Sequence, residues 1–151
     1  MKRNHFAVAS LLTIAGLFAA QPLVVRAAYL GPSALAASQD GKMLYVANLD
    51  AKQVAVVDLN GGKVARSIGV PASPTGLVLS PDGKTLYVTC AAPKSTVCMI
   101  DVASGKVTAS IPAGHTAVGP AISPDGKMLY ICNRFDNDVS EIGRASCRER
   151  V

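Results

Sequence analysis

The chain of 151 residues contains no tryptophan, and aromatic residues make up only 5% of it. No apolar run reaches the ~18–20 residues of a membrane-spanning helix, which excludes a polytopic membrane protein. There is no Cys-x-x-Cys-His motif for attaching a c-type haem and no Cys/His spacing typical of a zinc site. Glutamate is absent from Ala28 to Ser140, which removes one common general base. Disorder is also disfavoured, because 50% of the residues are hydrophobic and only 17% are charged.

The N-terminus has the three parts of a secretory signal peptide. The basic residues Lys2 and Arg3 precede an apolar segment, Phe6–Ala20, and Val25-Arg26-Ala27 fits the small-residue cleavage rule. We therefore predict a signal-peptide helix over residues 1–27, with a retained single-span anchor or a core helix as the alternatives. No Cys follows the apolar segment and no Arg-Arg pair precedes it, which disfavours a lipoprotein and the twin-Arg route.

The C-terminal eleven residues, EIGRASCRERV, read as the forward translation of a common short-read sequencing adapter. The match extends over the whole of 141–151. We interpret this segment as a non-native, adapter-like tail, and the alternative is a native charged tail.

The net charge of +5 comes mostly from the two ends. Three basic residues lie before Ala28, and the tail holds three basic and two acidic residues. Nine basic and eight acidic residues remain over Ala28–Ser140, a net charge of +1. A nearly neutral domain gives no electrostatic reason to expect nucleic acid as a partner.

The segment between the two ends is repetitive. Ser38–Asn48, Ser80–Cys90 and Ser123–Asn133 align at offsets of 42 and 43 residues, and Val56–Val64 aligns with Met99–Val107 at an offset of 43. A period in the low forties, made of strand-sized apolar pieces, is typical of a β-propeller whose blades have four strands. The apolar pieces are too short for helices.

The fold class predicted is all-β: a partial β-propeller of about two and a half four-stranded antiparallel blades, preceded by the signal-peptide helix. The truncated propeller is expected over 28–140, with blades at 33–70, 73–112 and 116–140. By register, 141 and 142 should be apolar and 143 should match Asp58 and Asp101, whereas the sequence has Glu141, Ile142 and Gly143. The repeat thus stops where the adapter-like run begins.

Each blade motif contains an Asp-Gly pair with the chemistry of a tight turn. Asp bonds the backbone of the turn and Gly takes a positive φ. Recurrence in every blade favours a structural role, since a catalytic acid is usually needed once. The predicted turn residues are Asp40, Gly41, Asp82, Gly83, Asp125 and Gly126.

The motifs SPDGKTLYV, VVDLNGGKV and MIDVASGKV resemble those of the YVTN family of β-propeller repeat proteins, over Gly31–Ser140. The resemblance implies a secreted, periplasmic or cell-surface protein, often of seven blades. Some full-length relatives carry a cytochrome c domain, so a haem belongs to the expectations for a longer protein, whereas no cofactor or metal is expected in this stretch. The absence of tryptophan separates the chain from the eight-bladed quinoprotein alcohol dehydrogenases.

The function expected from this resemblance is a binding or interaction scaffold, or the propeller part of a periplasmic redox protein. The alternative is an enzyme with a cofactor or substrate in its channel, similar to haem d1 nitrite reductases, quinoprotein dehydrogenases or lactonases. Whether the chain is an enzyme stays open at this point, with a non-catalytic fragment favoured. The expected partner is a protein or small molecule not yet identified, and membrane contact is expected only through export.

Two sets of residues are candidates for a specific role. Cys90 ends one predicted strand and Cys98 lies in the next, so they either form a disulfide in an oxidising compartment or serve as two small apolar side chains. His115, Asn133 and Arg134 fall in connections that share one end of a propeller, around the channel mouth. They are either ligand contacts or ordinary solvated loop residues.

Overall fold

A computed structural model describes residues 29–143 and the backbone of Ser146–Arg150. Every regular element in this part of the chain is a β-strand, and the predicted signal-peptide helix lies outside it. The twelve strands are β1 Pro32–Ala37, β2 Met43–Asn48, β3 Gln53–Asp58, β4 Lys63–Gly69, β5 Ser73–Leu79, β6 Thr85–Ala91, β7 Thr96–Asp101, β8 Lys106–Pro112, β9 Ala117–Ile122, β10 Met128–Asn133, β11 Asp138–Gly143 and β12 Ser146–Arg150.

The strands form three four-stranded antiparallel sheets, each a simple meander in chain order: β1–β4, β5–β8 and β9–β12. The sheets are the blades of a partial β-propeller, which confirms the predicted fold class. They are called blades one, two and three below. The fourth strand of blade three lies inside the segment interpreted above as non-native, and it pairs with β11 from Ser140 opposite Arg150 to Gly143 opposite Ser146.

The Asp-Gly pairs lie in the hairpin turns between the first two strands of each blade. In blade one, Ser38 Oγ donates to Asp40 Oδ1 at 2.6 Å, and the same oxygen accepts from the backbone N–H of Lys42 at 3.1 Å. Blades two and three repeat both bonds at the same distances. Gly41 has a φ of 68°, which a side chain would disfavour. The conserved geometry shows how one short motif builds the same turn three times.

Each blade has two apolar faces, because successive side chains of a strand point to opposite sides. The back face, toward the preceding blade, carries Leu86, Val88 and Ile100 in blade two. This back face packs against the front face of blade one, the face that points toward the following blade. Tyr45 and Val54 lie on that front face.

The junction of blades two and three repeats this arrangement. The front face of blade two presents Tyr87 and Val97, and the back face of blade three presents Leu129, Ile131 and Ile142. Blade two is therefore covered on both faces within the described residues.

The innermost strands of neighbouring blades are joined by hydroxyl groups. Ser33 Oγ donates to the carbonyl of Pro74 at 2.7 Å, and Thr75 Oγ1 donates to the carbonyl of Ala117 at 2.6 Å. The approach at the second junction is so close that a Cβ on Gly76 would lie 2.3 Å from Cδ of Pro120. These contacts fix the spacing of blades around the axis.

The described part of the chain contains no helix of the length and apolar character needed to cross a membrane.

Candidate functional site

The loop end of blade three brings two connections together. One joins β8 to β9 and contains His115, and the other joins β10 to β11 and contains Arg134 and Phe135. The backbone N–H of Arg134 donates to the carbonyl of Thr116 at 3.2 Å, and that of Phe135 donates to the carbonyl of His115 at 3.4 Å. The carboxylate of Asp136 accepts from the backbone N–H of His115 at 2.9 Å. Five backbone groups and one carboxylate thus hold the two loops in a fixed relation.

The side chains of His115, Arg134 and Phe135 form a surface group that we call the loop cluster. The rings of His115 and Phe135 meet edge to face, with centroids 5.1 Å apart and planes at 83°. The guanidinium carbon of Arg134 lies 5.5 Å from the centroid of Phe135, within the range of a cation–π contact. Phe135 is nevertheless 61% exposed. The cluster offers solvent an aromatic surface with a cation beside it.

The imidazole of His115 has a second contact, at the base of the cluster. Its Nδ1 lies 2.9 Å from Oγ1 of Thr116, a residue with a φ of 55°. This leaves the ring oriented by a hydrogen bond on one side and by Phe135 on the other. The cluster is ordered by the protein itself.

Asn133 lies beneath the loop cluster and is 1% exposed. Its Oδ1 accepts from the backbone N–H of Gly114 at 2.9 Å, and its Nδ2 donates to Ser140 Oγ at 2.8 Å and to a carboxylate oxygen of Asp138. The amide is occupied by bonds that hold the β8–β9 connection against blade three. Of the three predicted ligand contacts, His115 and Arg134 lie at the surface, whereas Asn133 supports the loops from within.

Phe135 was not among the candidate residues predicted from the sequence. Its signal was available: an aromatic residue stands at a loop position where blade one has Asp50. A large apolar side chain in a polar loop is the kind of residue that recurs at binding surfaces. Its contact with His115 required the register of two loops and was not available from the sequence.

Cys90 and Cys98 form a second group, buried at the junction of blades one and two. Both are fully buried thiols, and their Sγ atoms lie 3.7 Å apart. Cys90 pairs with Thr96 and Cys98 with Val88 across β6 and β7, so the two cysteines are diagonal neighbours on the back face of blade two. Cys132, by contrast, is exposed.

Other candidate sites are few in the described residues. They hold no group of three or more His, Cys, Asp or Glu side chains that could bind a metal ion. Two surface grooves run along the blade junctions and are lined by residues that include Lys127 and Gly126 in one case and Asp40 and Gly83 in the other. Both open near the Asp-Gly turns, at the opposite end of the blades from the loop cluster.

The fold and these sites define a β-propeller protein of which three blades are present. No protein-family model matches the chain. It is 44% identical over 50 residues to antigen Lp49 of Leptospira interrogans, a match that covers 33% of this chain and 11% of the antigen.

Two solved structures show the likeness in fold. Hydrazine synthase of Kuenenia stuttgartiensis superposes with a TM-score of 0.73 and 28% identity over 86% of this chain and 38% of that one. The β-propeller domain of Cps50 (Swd1) from Myceliophteria thermophila superposes with a TM-score of 0.70 and 18% identity, over 80% and 39%. The chain thus spans about two fifths of these propeller structures. One belongs to an enzyme, so the fold alone does not decide the function.

Proposed function

We propose that the chain is part of an exported β-propeller of the YVTN type that acts as a binding scaffold, with the loop cluster as its contact surface. The observation that carries this proposal is the exposure of Phe135. Its side chain is 61% exposed although its ring contacts both His115 and Arg134. The partner class is a protein or small molecule with a flat or anionic group to lay on this surface.

Energetic considerations support this assignment. Aromatic and arginine side chains are over-represented among residues that dominate binding energy. Their effect is greatest where the side chains are already ordered, since less entropy is then lost on binding. The backbone bonds between the two loops provide that order before any partner arrives.

Export is proposed on the tripartite N-terminal pattern, and the partial likeness to an antigen fits it. The chain with its leader should be expressed in a Gram-negative host and its periplasmic fraction measured by intact-protein mass spectrometry. A mature species that begins at Ala28 is expected. A cytoplasmic chain that keeps residues 1–27 would contradict export.

The binding role is tested by site-specific photocrosslinking in envelope extract of the source organism. A photoreactive phenylalanine analogue at position 135 is compared with the same analogue at Val64, which is 58% exposed but lies on the outer strand β4. We expect one discrete crosslinked species from position 135, reduced at least ~3-fold by Arg134→Ala, because removing the cation weakens the shared surface. Equal labelling from both positions would overturn the assignment.

The second candidate is a redox or hydrolytic enzyme in which the propeller holds a cofactor or substrate at its channel. It is favoured by one observation, the 28% identity to hydrazine synthase. A longer native protein with a haem Soret band in its absorption spectrum would favour this candidate. Further blades without that band would favour the scaffold.

A further inference from the structure

The two buried cysteines occupy a position that recurs in every blade. The repeat places Cys90 and Cys98 of blade two in register with Asn133 and Ser140 of blade three, and the latter pair is joined by a hydrogen bond of 2.8 Å from Nδ2 to Oγ. This diagonal of the second and third strands therefore brings two side chains into contact in both blades. Blade two fills it with thiols instead of a polar pair.

The surroundings of the thiols allow a bond between them. The Sγ atoms are 3.7 Å apart on one face of an antiparallel pair, and both side chains are enclosed by the apolar core of the first blade junction. A disulfide needs the sulfur atoms at about 2.05 Å and the Cβ atoms about 3.5–4.5 Å apart, closer than diagonal neighbours usually stand, so closing it takes rotation of both side chains and a local shift of β6 toward β7. The thiols also have longer contacts, from Cys98 Sγ to Ser110 Oγ at 3.8 Å and from Cys90 Sγ to the carbonyl of Val88 at 3.8 Å.

We propose that Cys90 and Cys98 form a disulfide, acquired by thiol–disulfide exchange while the exported chain folds, which links β6 to β7 inside the core of the first blade junction. The timing follows from burial, because both side chains have no exposed surface in the folded chain. Formation of the disulfide needs an oxidising compartment, and in this respect the proposal rests on the export proposed above.

The exchange balances with a disulfide oxidant, RSSR. The thiolate of Cys98 attacks one sulfur of RSSR, the S–S bond of RSSR breaks, a mixed disulfide Cys98–S–SR forms, and RS⁻ leaves and takes up a proton from solvent. The thiol of Cys90 then gives up its proton and attacks Cys98 Sγ, which expels the second RS⁻ as RSH. Two thiols are oxidised and one RSSR is reduced to two RSH.

The order of the two cysteines follows from their hydrogen bonds. The bond from Cys90 lowers the pKa of Cys98, with additional help from the hydroxyls of Ser110 and Thr96, whereas the same bond and burial raise the pKa of Cys90. In a compact folding intermediate in which the two thiols already touch, Cys98 is therefore the thiol that attacks first, since the thiolate is the nucleophile.

Peptide mapping by mass spectrometry detects the disulfide between Cys90 and Cys98 directly. The full chain is exported, quenched in acid, alkylated and digested with trypsin, which separates Thr85–Lys94 from Ser95–Lys106. A species with the summed mass of these two peptides less two hydrogens is expected, together with alkylated Cys132 on Met128–Arg134. Quantitative alkylation of both Cys90 and Cys98 in leader-cleaved protein, or a link from either one to Cys132, would overturn the proposal.

A second experiment tests the disulfide independently of export. The denatured, reduced chain is refolded with oxidised glutathione, so that pairing is tested even where the leader is not cleaved. The same linked peptide is expected, and it should be absent from Cys90→Ser and from Cys98→Ser. Cys132→Ser is the matched control and should leave the linked peptide unchanged. Absence of the link in this experiment also overturns the proposal.

Discussion

Blade two and blade three carry nearly the same motif, but among the residues that the structure describes only blade two is covered on both faces. Tyr87 is 8% exposed beneath blade three, whereas its equivalent Tyr130 is partly open to solvent. Val97 is fully buried, whereas its equivalent Val139 is not. The difference shows that the burial of a repeat residue is set by the neighbouring blade, as expected where each unit contacts only its neighbours.

Position 141 sharpens the contrast. Glu141 lies in register with Val56 of blade one and Met99 of blade two, both on front faces that pack against the following blade. A carboxylate there would have to be desolvated if another blade were added, at a substantial cost. Glu141 is the first residue of the segment interpreted as non-native, and resequencing the native gene across this codon tests that interpretation. An apolar residue is expected at 141 and an Asp at 143.

The largest effect is expected from equivalent leucines on covered and open faces. Leu86 is fully buried between blades one and two, whereas Leu44, at the same repeat position, lies on the back face of blade one, which no described residue covers. Leu86→Ala should lower the free energy of unfolding by about 2–5 kcal/mol, and Leu44→Ala by about 1 kcal/mol or less. Urea unfolding followed by circular dichroism measures both. Equal losses would break the comparison of covered with open faces.

The next effect concerns how closely the blades approach. A Cβ at Gly76 would lie 2.3 Å from Cδ of Pro120 and 2.9 Å from Oγ1 of Thr89, whereas a Cβ at Gly69 meets no atom within 4 Å. Gly76→Ala should therefore cost about 1–3 kcal/mol, because blades two and three must separate. Gly69→Ala should be neutral or slightly stabilising, since it restricts the unfolded chain. A neutral Gly76→Ala would show that the junction is looser than described.

A third prediction tests the support beneath the loop cluster. Asn133→Ala leaves the buried N–H of Gly114 without its acceptor and should cost about 1–3 kcal/mol. Ser140→Ala removes only one partner of the Asn133 amide and should cost about 0.5–1.5 kcal/mol. Hydrogen exchange measured by mass spectrometry should show faster exchange at 113–116 in Asn133→Ala. Unchanged exchange there would contradict a positioning role for Asn133.

The sequence was sufficient for the fold but not for the surface. The repeat period, the Asp-Gly turns and the alternating apolar residues are local signals, and they predicted the all-β fold of antiparallel blades that the structure shows. The loop cluster depends on how two connections from different blades meet, and no local signal reports that. The sulfur separation of Cys90 and Cys98 likewise depends on strand register. The repeat shows which residues correspond between blades, but it does not predict which side chains are in contact.

The smallest effect expected is the pH dependence of the turns that all three blades share. Hydrogen bonds from Ser38 and from the backbone of Lys42 hold the pKa of Asp40 below its ordinary value of 3.8, and Ser123 and Lys127 act in the same way on Asp125. A carboxylate whose pKa is lower in the folded state contributes stability above its unfolded pKa and loses it as the pH falls through its folded pKa. Stability should therefore be flat near pH 7 and decline below about pH 4. Asp40→Asn should reduce that decline in the urea midpoint measured from pH 6 to pH 3, and Asp125→Asn should do the same. The reason is that the turn has the same hydrogen bonds in blade one, whose front face is covered by blade two, and in blade three, whose back face is covered by blade two. A decline that one substitution reduces and the other leaves intact would show that the neighbouring blade, and not the turn, sets the acid sensitivity.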